Sequence, residues 1–230
     1  MTMRTDAGNH RFVFIAGLHR SGTSFFHKAL QQHPAVSGFS NTGVREDEGQ
    51  HLQTVYPPGM AFGGPGRFAF HPAAHLDETS SLCNRDSAQK LFSQWAPYWD
   101  LGKPVLMEKS PTNLLKTRFL QGLFPNSWFI IILRHPIAVT LATFKNGGDL
   151  DEAIRHWLHA HSIFHMDRRK LRNVHVVRYE DLVSNPQGVV DRVFGFTGLS
   201  RIPARSTSMA TPTRATFPPG NRSGYRMKLR

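Results

Sequence analysis

One stretch near the N-terminus limits the fold more than any other. Phe12-Val13-Phe14-Ile15-Ala16 is an unbroken apolar run of strand length, and it leads directly into Gly17-Leu18-His19-Arg20-Ser21-Gly22-Thr23-Ser24. A strand that is apolar at every position has to be covered on both faces, as in the parallel sheet of an α/β domain. The turn then opens a helix carrying Phe25, Phe26, Ala29 and Leu30, which His33-Pro34 ends. Gly17-x-x-x-x-Gly22 has the glycine spacing of loops that cradle anions with backbone N–H groups and a helix N-terminus, with the Thr23 and Ser24 hydroxyls turned toward the anion. It is not a nucleotide-hydrolysing loop, because Thr23 stands where such enzymes need lysine. A Gly-Ser turn that only joins strand to helix is the plainer use of the same residues.

The rest of the chain repeats the alternation. Residues 37–75 are rich in Gly, Pro, Ser and His and read as loops around a site or a lid, with GVREDEGQHLQ as the one short helix. A helix is predicted from Asp86 to Trp99, then a strand at Pro104–Met107 that delivers Glu108-Lys109-Ser110-Pro111, then a helix from Thr112 to Gly122. SWFIIIL is the clearest buried strand, stopped by Arg134-His135-Pro136, and Pro136 suits the first turn of a helix to about Phe144. A long helix from Asp149 to about Leu171, a strand at Val174–Arg178 and a helix from Ser184-Asn185-Pro186 complete the pattern. The expected fold is a three-layer α/β domain with a mostly parallel central sheet over residues 1–199. Residues 200–230, which include Arg201, Arg205, Arg214, Arg222, Arg226 and Arg230, form a basic Ser/Thr/Pro/Arg-rich segment, either laid across the site or disordered.

Composition narrows the function classes. A formal net charge of +12 over 230 residues favours anionic ligands, yet no zinc-finger spacing, basic-helix repeat or ribonucleoprotein signature accompanies it, so nucleic acid is not expected. Cys83 is the single cysteine, which excludes an intramolecular disulfide and a multi-cysteine metal site. No apolar run reaches membrane-spanning length, and a soluble, cytoplasmic protein is the expectation.

In open α/β sheets ligands gather outside the carboxyl ends of the strands, and four polar segments share that address here. They are the loop at Leu18–Ser24, Glu108–Pro111, Arg134, and Arg178-Tyr179-Glu180-Asp181. Together LHRSGTSF, EKSP, ILRHP and VVRYEDLVSNP resemble the motif set of sulfotransferases that use 3'-phosphoadenosine 5'-phosphosulfate (PAPS), in order from about Phe12 to Leu199. The resemblance implies a P-loop-like fold whose first loop, His19, Arg20, Ser21, Gly22, Thr23 and Ser24, binds the 5'-phosphosulfate. It also implies that Arg134 reads the 3'-phosphate. The serine that commonly assists that arginine is replaced by Ala142, with Thr140 and Thr143 nearby; Thr140 is the expected substitute. Arg134 paired with Asp181 in a structural salt bridge is the rival use.

Sulfuryl transfer to a hydroxyl or amine requires positive charge at the bridging oxygen and at the transferring group, and a base beside the acceptor. The resemblance assigns the first task to Arg20 and the second to Lys109, whose alternative is a solvated surface position. The family's histidine position after that lysine is Ser110 here, so the base is sought among Glu48, Glu46 and His51, in that order. A helical turn over 46–51 would bring Glu48 and His51 together at i, i+3. The rival reading of these acids is a capped, acidic helix start. Histidine pairs at His156/His159 and His161/His165 lack a third ligand, so no metal is expected, and Trp157 and Phe164 read as packing residues. Arg178, Glu180 and Asp181 are expected to brace the nucleotide loop by buried ion pairs. The implied partner is a small-molecule, carbohydrate or lipid acceptor, with phenols and peptides also open. A P-loop-fold kinase using Mg²⁺ and ATP, and a catalytically weak binder of the desulfonated nucleotide PAP, are the competing functions.

Overall fold

The computed structural model describes residues 9–144 and 149–202. Nearly all of the Arg-rich C-terminal segment therefore lies outside the described residues, as do residues 145–148.

Five strands, β1 (Arg11–Gly17), β2 (Val36–Gly38), β3 (Val105–Lys109), β4 (Ser127–Leu133) and β5 (Val174–Arg178), form one parallel sheet in the order β2-β3-β1-β4-β5. The side-chain period of two sorts each apolar run onto two faces. Phe12, Phe14 and Ala16 of β1 join Leu106, Phe129 and Ile131 on one face; Val13 and Ile15 join Met107, Ile130 and Ile132 on the other. The first face is covered by α2 (Arg85–Trp95), α3 (Thr117–Leu123) and α5 (Leu150–Asp167), through Leu91, Trp95, Phe119, Ala160 and Phe164. The second is covered by α1 (Thr23–Leu30) and, after α4 (Pro136–Thr143) and α6 (Tyr179–Ser184), by α7 (Pro186–Phe196), through Phe26, Leu30, Val190 and Val193. The three-layer parallel α/β expectation holds.

Chain direction reverses about β1: the next strands lie on its β3 side, and the later ones on its β4 side. Such a switch point opens a crevice at the carboxyl ends of the two central strands, where the β1–α1 loop and the end of β4 emerge.

Local departures from the sequence expectations have identifiable causes. β2 is an edge strand of three residues, too short to show periodicity inside a Gly-rich segment. α2 stops at Trp95, because Pro97 converts the continuation into a 3-10 turn at Ala96–Tyr98. The helix expected over 112–122 is split at Lys116 (φ −132°, ψ 12°) into a 3-10 segment, Pro111–Leu115, and α3. RYEDL supplies a full extra helix, α6, between β5 and α7.

Candidate functional site

The β1–α1 loop is shaped by its backbone. Gly22, at the N-cap of α1, has φ 96° and leaves no room for a side chain: a Cβ there would lie 2.6 Å from the Tyr179 ring. Arg20 is also left-handed (φ 67°) and exposed. The first helical bond runs from Phe26 N to Gly22 O at 3.1 Å, so the earlier N–H groups of the turn have no acceptor within the helix. No side chain caps them. The hydroxyls of the loop divide. Ser21 Oγ donates to Leu18 O at 2.6 Å and is buried, so it braces the turn, whereas Ser24 Oγ at the mouth donates to Glu46 Oε2 at 3.0 Å.

Arg134, at the end of β4, reaches the same loop. Its Nη1 donates to Arg20 O at 2.6 Å and its guanidinium lies 4.2 Å from the centroid of Tyr179. Trp157 Nε1 donates to Arg134 O at 3.1 Å, and His135 N donates to Glu180 Oε1 at 3.0 Å. The expected bracing by buried ion pairs is corrected: Arg178, Glu180 and Asp181 are exposed, and among the described residues none of them, nor Arg134, forms an ion pair. Glu180 braces the strand end through a backbone N–H, and Tyr179 does so through its ring.

Across the cleft the second group assembles on β3 and the segment 45–51. Lys109 is 1% exposed, which rules out a solvated surface position. Its Nζ donates to Glu46 O at 2.7 Å and to Glu48 Oε1 at 3.3 Å. Residues 46–51 are not the expected helical turn: Glu46 (φ 54°) and Asp47 (φ 50°) are left-handed, and Glu48 is extended between two 3-10 turns. Glu48 and His51 nevertheless meet, with His51 Nε2 3.7 Å from Glu48 Oε2. Glu48 is buried, Glu46 exposed.

One cleft of about 680 Å³ joins the two groups. Its lining includes His19, Arg20, Gly22, Thr23 and Ser24 from the loop, Arg134 and Tyr179, and Glu46, Glu48 and His51 from the opposite wall. Met60, Pro65, Pro111 and Phe144 give it an apolar sector. Ala142 and Thr143 also face it, but Thr140 does not: it is 3% exposed and lines a small separate cavity beside Leu18 and His156. His19 borders both spaces. Burial, aided by the nearby Arg45, His156 and Lys109, lowers its imidazole to about 3, so His19 is a neutral member of an otherwise cationic loop.

His156 and His161 of the predicted histidine pairs are engaged by backbone groups, whereas His159 and His165 are exposed. His156 Nε2 accepts from Ala69 N at 3.2 Å, and His161 Nδ1 lies 2.7 Å from Trp157 O. Among the described residues no group of three or more His, Cys, Asp or Glu could hold a metal, and no helix is long and apolar enough to cross a membrane. Sequence reasoning missed Gln50 and Arg45, which also line the cleft, and Tyr179 as the platform under Arg134. Only Tyr179 had a signal, its place in RYEDL.

A parallel α/β domain with an uncapped helix N-terminus and two arginines at its switch point is built to receive an anionic ligand. The sequence model of the sulfotransferase family matches residues 13–203, and the chain belongs to that family. It is 25% identical over 203 residues to protein-tyrosine sulfotransferase 2 of Gallus gallus, covering 82% of this chain and 51% of the relative. The chain thus spans about half the length of that curated relative. The fold is shared with sulfotransferase STF1 from Mycobacterium tuberculosis H37Rv (TM-score 0.56, 18% identity, 85% of this chain and 69% of that one). It is shared also with a sulfotransferase from Alicyclobacillus acidocaldarius (TM-score 0.55, 19% identity, 86% and 85%).

Proposed function

We propose that this chain transfers a sulfuryl group from PAPS to a hydroxyl or amine. The observation that carries the reading is the lining of one cleft by the uncapped N-terminus of α1 with Arg20 and Arg134 on one wall and the Glu48 carboxylate on the other. The donor set fits such a nucleotide: free backbone N–H groups and two guanidinium groups suit sulfate and phosphate oxygens, and the Ser24 hydroxyl joins them on leaving Glu46.

Bound PAPS supplies an activated sulfuryl group whose S–O bond to phosphate breaks as the acceptor's oxygen or nitrogen bonds to sulfur. Gly22, Thr23 and Ser24 hold its 5' end, Arg20 meets the charge that develops on the bridging oxygen, and Arg134 reads the 3'-phosphate. An ammonium has three donors. Two of those on Lys109 go to Glu46 O and Glu48 Oε1, and Lys109 lies buried behind the cleft lining, so its charge acts on the transferring group from behind the Glu46–Glu48 wall. Glu48 takes the acceptor's proton, because it is the buried carboxylate of the wall, lines the cleft and is oriented by Lys109 at Oε1. Glu46 is exposed and tied to Ser24, and His51 flanks Glu48, so both are secondary candidates. Met60, Pro65, Pro111 and Phe144 suit an acceptor whose nucleophile sits on an apolar or aromatic body, as a phenol does.

Calorimetric titration with PAP, AMP and ATP tests the donor half. PAP is expected to bind more tightly than either competitor, and equal affinity for PAP and AMP would overturn the reading. Mass detection of sulfated product across sugar, lipid, phenol and peptide acceptors then identifies the second substrate.

A further inference from the structure

Glu48 is held from two sides, and the second side is not part of the reading above. Lys109 takes Oε1; the side-chain amide of Gln50 donates to Oε2 at 2.6 Å. Gln50 is 2% exposed and lies in the cleft wall. Its orientation is dictated by what its own oxygen receives: Gly59 N donates to Oε1 at 2.9 Å and Thr112 Oγ1 at 3.0 Å. Two donors on that oxygen leave the amide nitrogen facing the carboxylate. The backbone beside it is pinned as well. Gln50 N donates to Ser110 Oγ at 3.0 Å, and Ser110 Oγ donates in turn to Glu108 Oε1 at 2.5 Å. Gly49 N donates to the same Glu108 oxygen at 3.0 Å, and Asn113 Nδ2 donates to Glu108 Oε2. A Cβ on Gly49 would lie 2.5 Å from Glu108 Cγ, so the 3-10 turn at Gly49 packs directly against β3.

We infer that Gln50 is a positioning residue for sulfuryl transfer: it fixes the Glu48 carboxylate in rotation and occupies one lone pair of Oε2, leaving the other for the acceptor's proton. The inference rests on Glu48 being the base. A carboxylate held by Lys109 alone could swing about that single contact. Held at both oxygens, it presents one direction to the cleft, which is what a base within hydrogen-bond reach of its proton requires. The charged and titratable groups facing Glu48 are Lys109 and Glu108 from β3 and His51 from its own segment.

The test compares Gln50→Glu and Gln50→Met with the wild-type chain. Gln50→Glu keeps an oxygen for Gly59 and Thr112 but sets a second carboxylate against Glu48, so one of the two carboxyls takes a proton. The acid limb of the kcat profile is expected to move upward by a pH unit or more, with PAP affinity unchanged. Gln50→Met removes the donor without adding charge; kcat is expected to fall about tenfold or more, with the KM for PAPS unmoved. An unshifted acid limb in folded Gln50→Glu, or full kcat in Gln50→Met, overturns the inference. Should Gln50→Glu fail to fold, the split between kcat and KM in Gln50→Met decides alone, with melting temperature as the check on folding. Glu48→Gln separates the two claims: if it retains full turnover, the base assignment itself is wrong, whereas if it is inactive and the Gln50 variants behave as wild type, only the present inference falls.

Discussion

The two walls of the cleft are built by different means. The β1–α1 wall spans eight consecutive residues from Gly17 to Ser24, shaped by backbone dihedrals and one buried Ser21 turn bond. The 45–51 wall has no regular element longer than three residues and contains two consecutive left-handed residues, Glu46 and Asp47, neither of which is glycine. It is held by contacts some sixty residues away in sequence, from Gly49, Gln50 and Glu48 to Glu108, Ser110 and Lys109. The first wall is shaped mainly by its local chain, with Arg134 and Tyr179 bracing it from outside, whereas the second depends on tertiary staples for its shape. Anion binding should therefore survive damage that abolishes proton transfer, and the reverse should hold as well.

The largest effect expected from breaking this division is on turnover. Arg20 sits in the loop at φ 67° with its carbonyl already engaged by Arg134, so the backbone stays in place when the side chain is removed. Arg20→Ala is expected to lower kcat by roughly 10²-fold or more, the scale for losing one preorganised donor, while PAP affinity changes less. Steady-state kinetics beside calorimetry check this; a loss confined to binding removes Arg20 from the chemistry.

Next in size is selectivity. Arg134→Ala is expected to weaken PAP binding by about 2–3 kcal/mol, the range for a hydrogen bond to a charged group left unmade, and to leave AMP nearly unaffected. Because Arg134 also bonds Arg20 O and stacks on Tyr179, a structural role predicts a different pattern: both ligands weaken and the ligand-free protein melts lower. Calorimetry on both nucleotides distinguishes the two.

That contrast also explains what was legible in the sequence. The sheet, its two-sided burial and the first loop follow from local signals: period-two apolar runs, glycines at fixed spacing, and Arg134 abutting the strongest strand. The base-bearing wall carries no such signal. Glu48, Glu46 and His51 are legible as candidates only from their acidic segment and Ser110 at the family's histidine position; the helical turn that would bring Glu48 and His51 together does not form, and they meet because β3 and its following turn hold the segment from outside. Gln50 was missed for the same reason, since an amide shows its importance only through partners at Gly59 and Thr112. Thr140 differs in the opposite sense: its position beside Ala142 in sequence suggested the cleft, but a two-residue offset on α4, about 200° of rotation, turns it away from the cleft into a buried position.

Acid should affect the two walls together through the histidines under them. Burial lowers His19 to about 3, and His27 and His156 to about 4, from an ordinary 6.5. Their unfolded forms bind protons that the folded forms refuse, so stability is full above pH 6.5 and falls as pH drops toward 4. Glu108 opposes this. Burial raises it from 4.5 to about 7, so the folded form binds its proton more readily between those values, and its contribution grows as pH falls. These three histidines outweigh Glu108, and His161 and His175, also lowered by burial, act in the same direction, leaving a net loss of about 1 kcal/mol or more per pH unit below 6. Urea melts between pH 7 and 4.5 measure it, and a stability that is flat or rising toward acid would contradict the buried, neutral state of these histidines.

The smallest effect expected comes where the walls touch. Glu46 Oε2 accepts the Ser24 hydroxyl, a donor that the anion reading assigns to the nucleotide, and its backbone is left-handed while its carbonyl is held by Lys109. The carboxylate thus stands at the mouth of an anion cradle with unfavourable charge for the ligand, in a position screened by solvent. Glu46→Gln keeps the shape and an acceptor for Ser24 but removes the charge, and it is expected to tighten PAP binding a few-fold, with a gain that shrinks as salt is raised. Turnover should persist, since Lys109 is bound by the Glu46 carbonyl and not by its carboxylate. Salt-dependent calorimetry reads the first effect and kinetics the second. Weaker PAP binding in this variant would mean that Glu46 belongs to the cradle instead of opposing it, and a collapse of turnover with binding intact would transfer the base from Glu48 to Glu46.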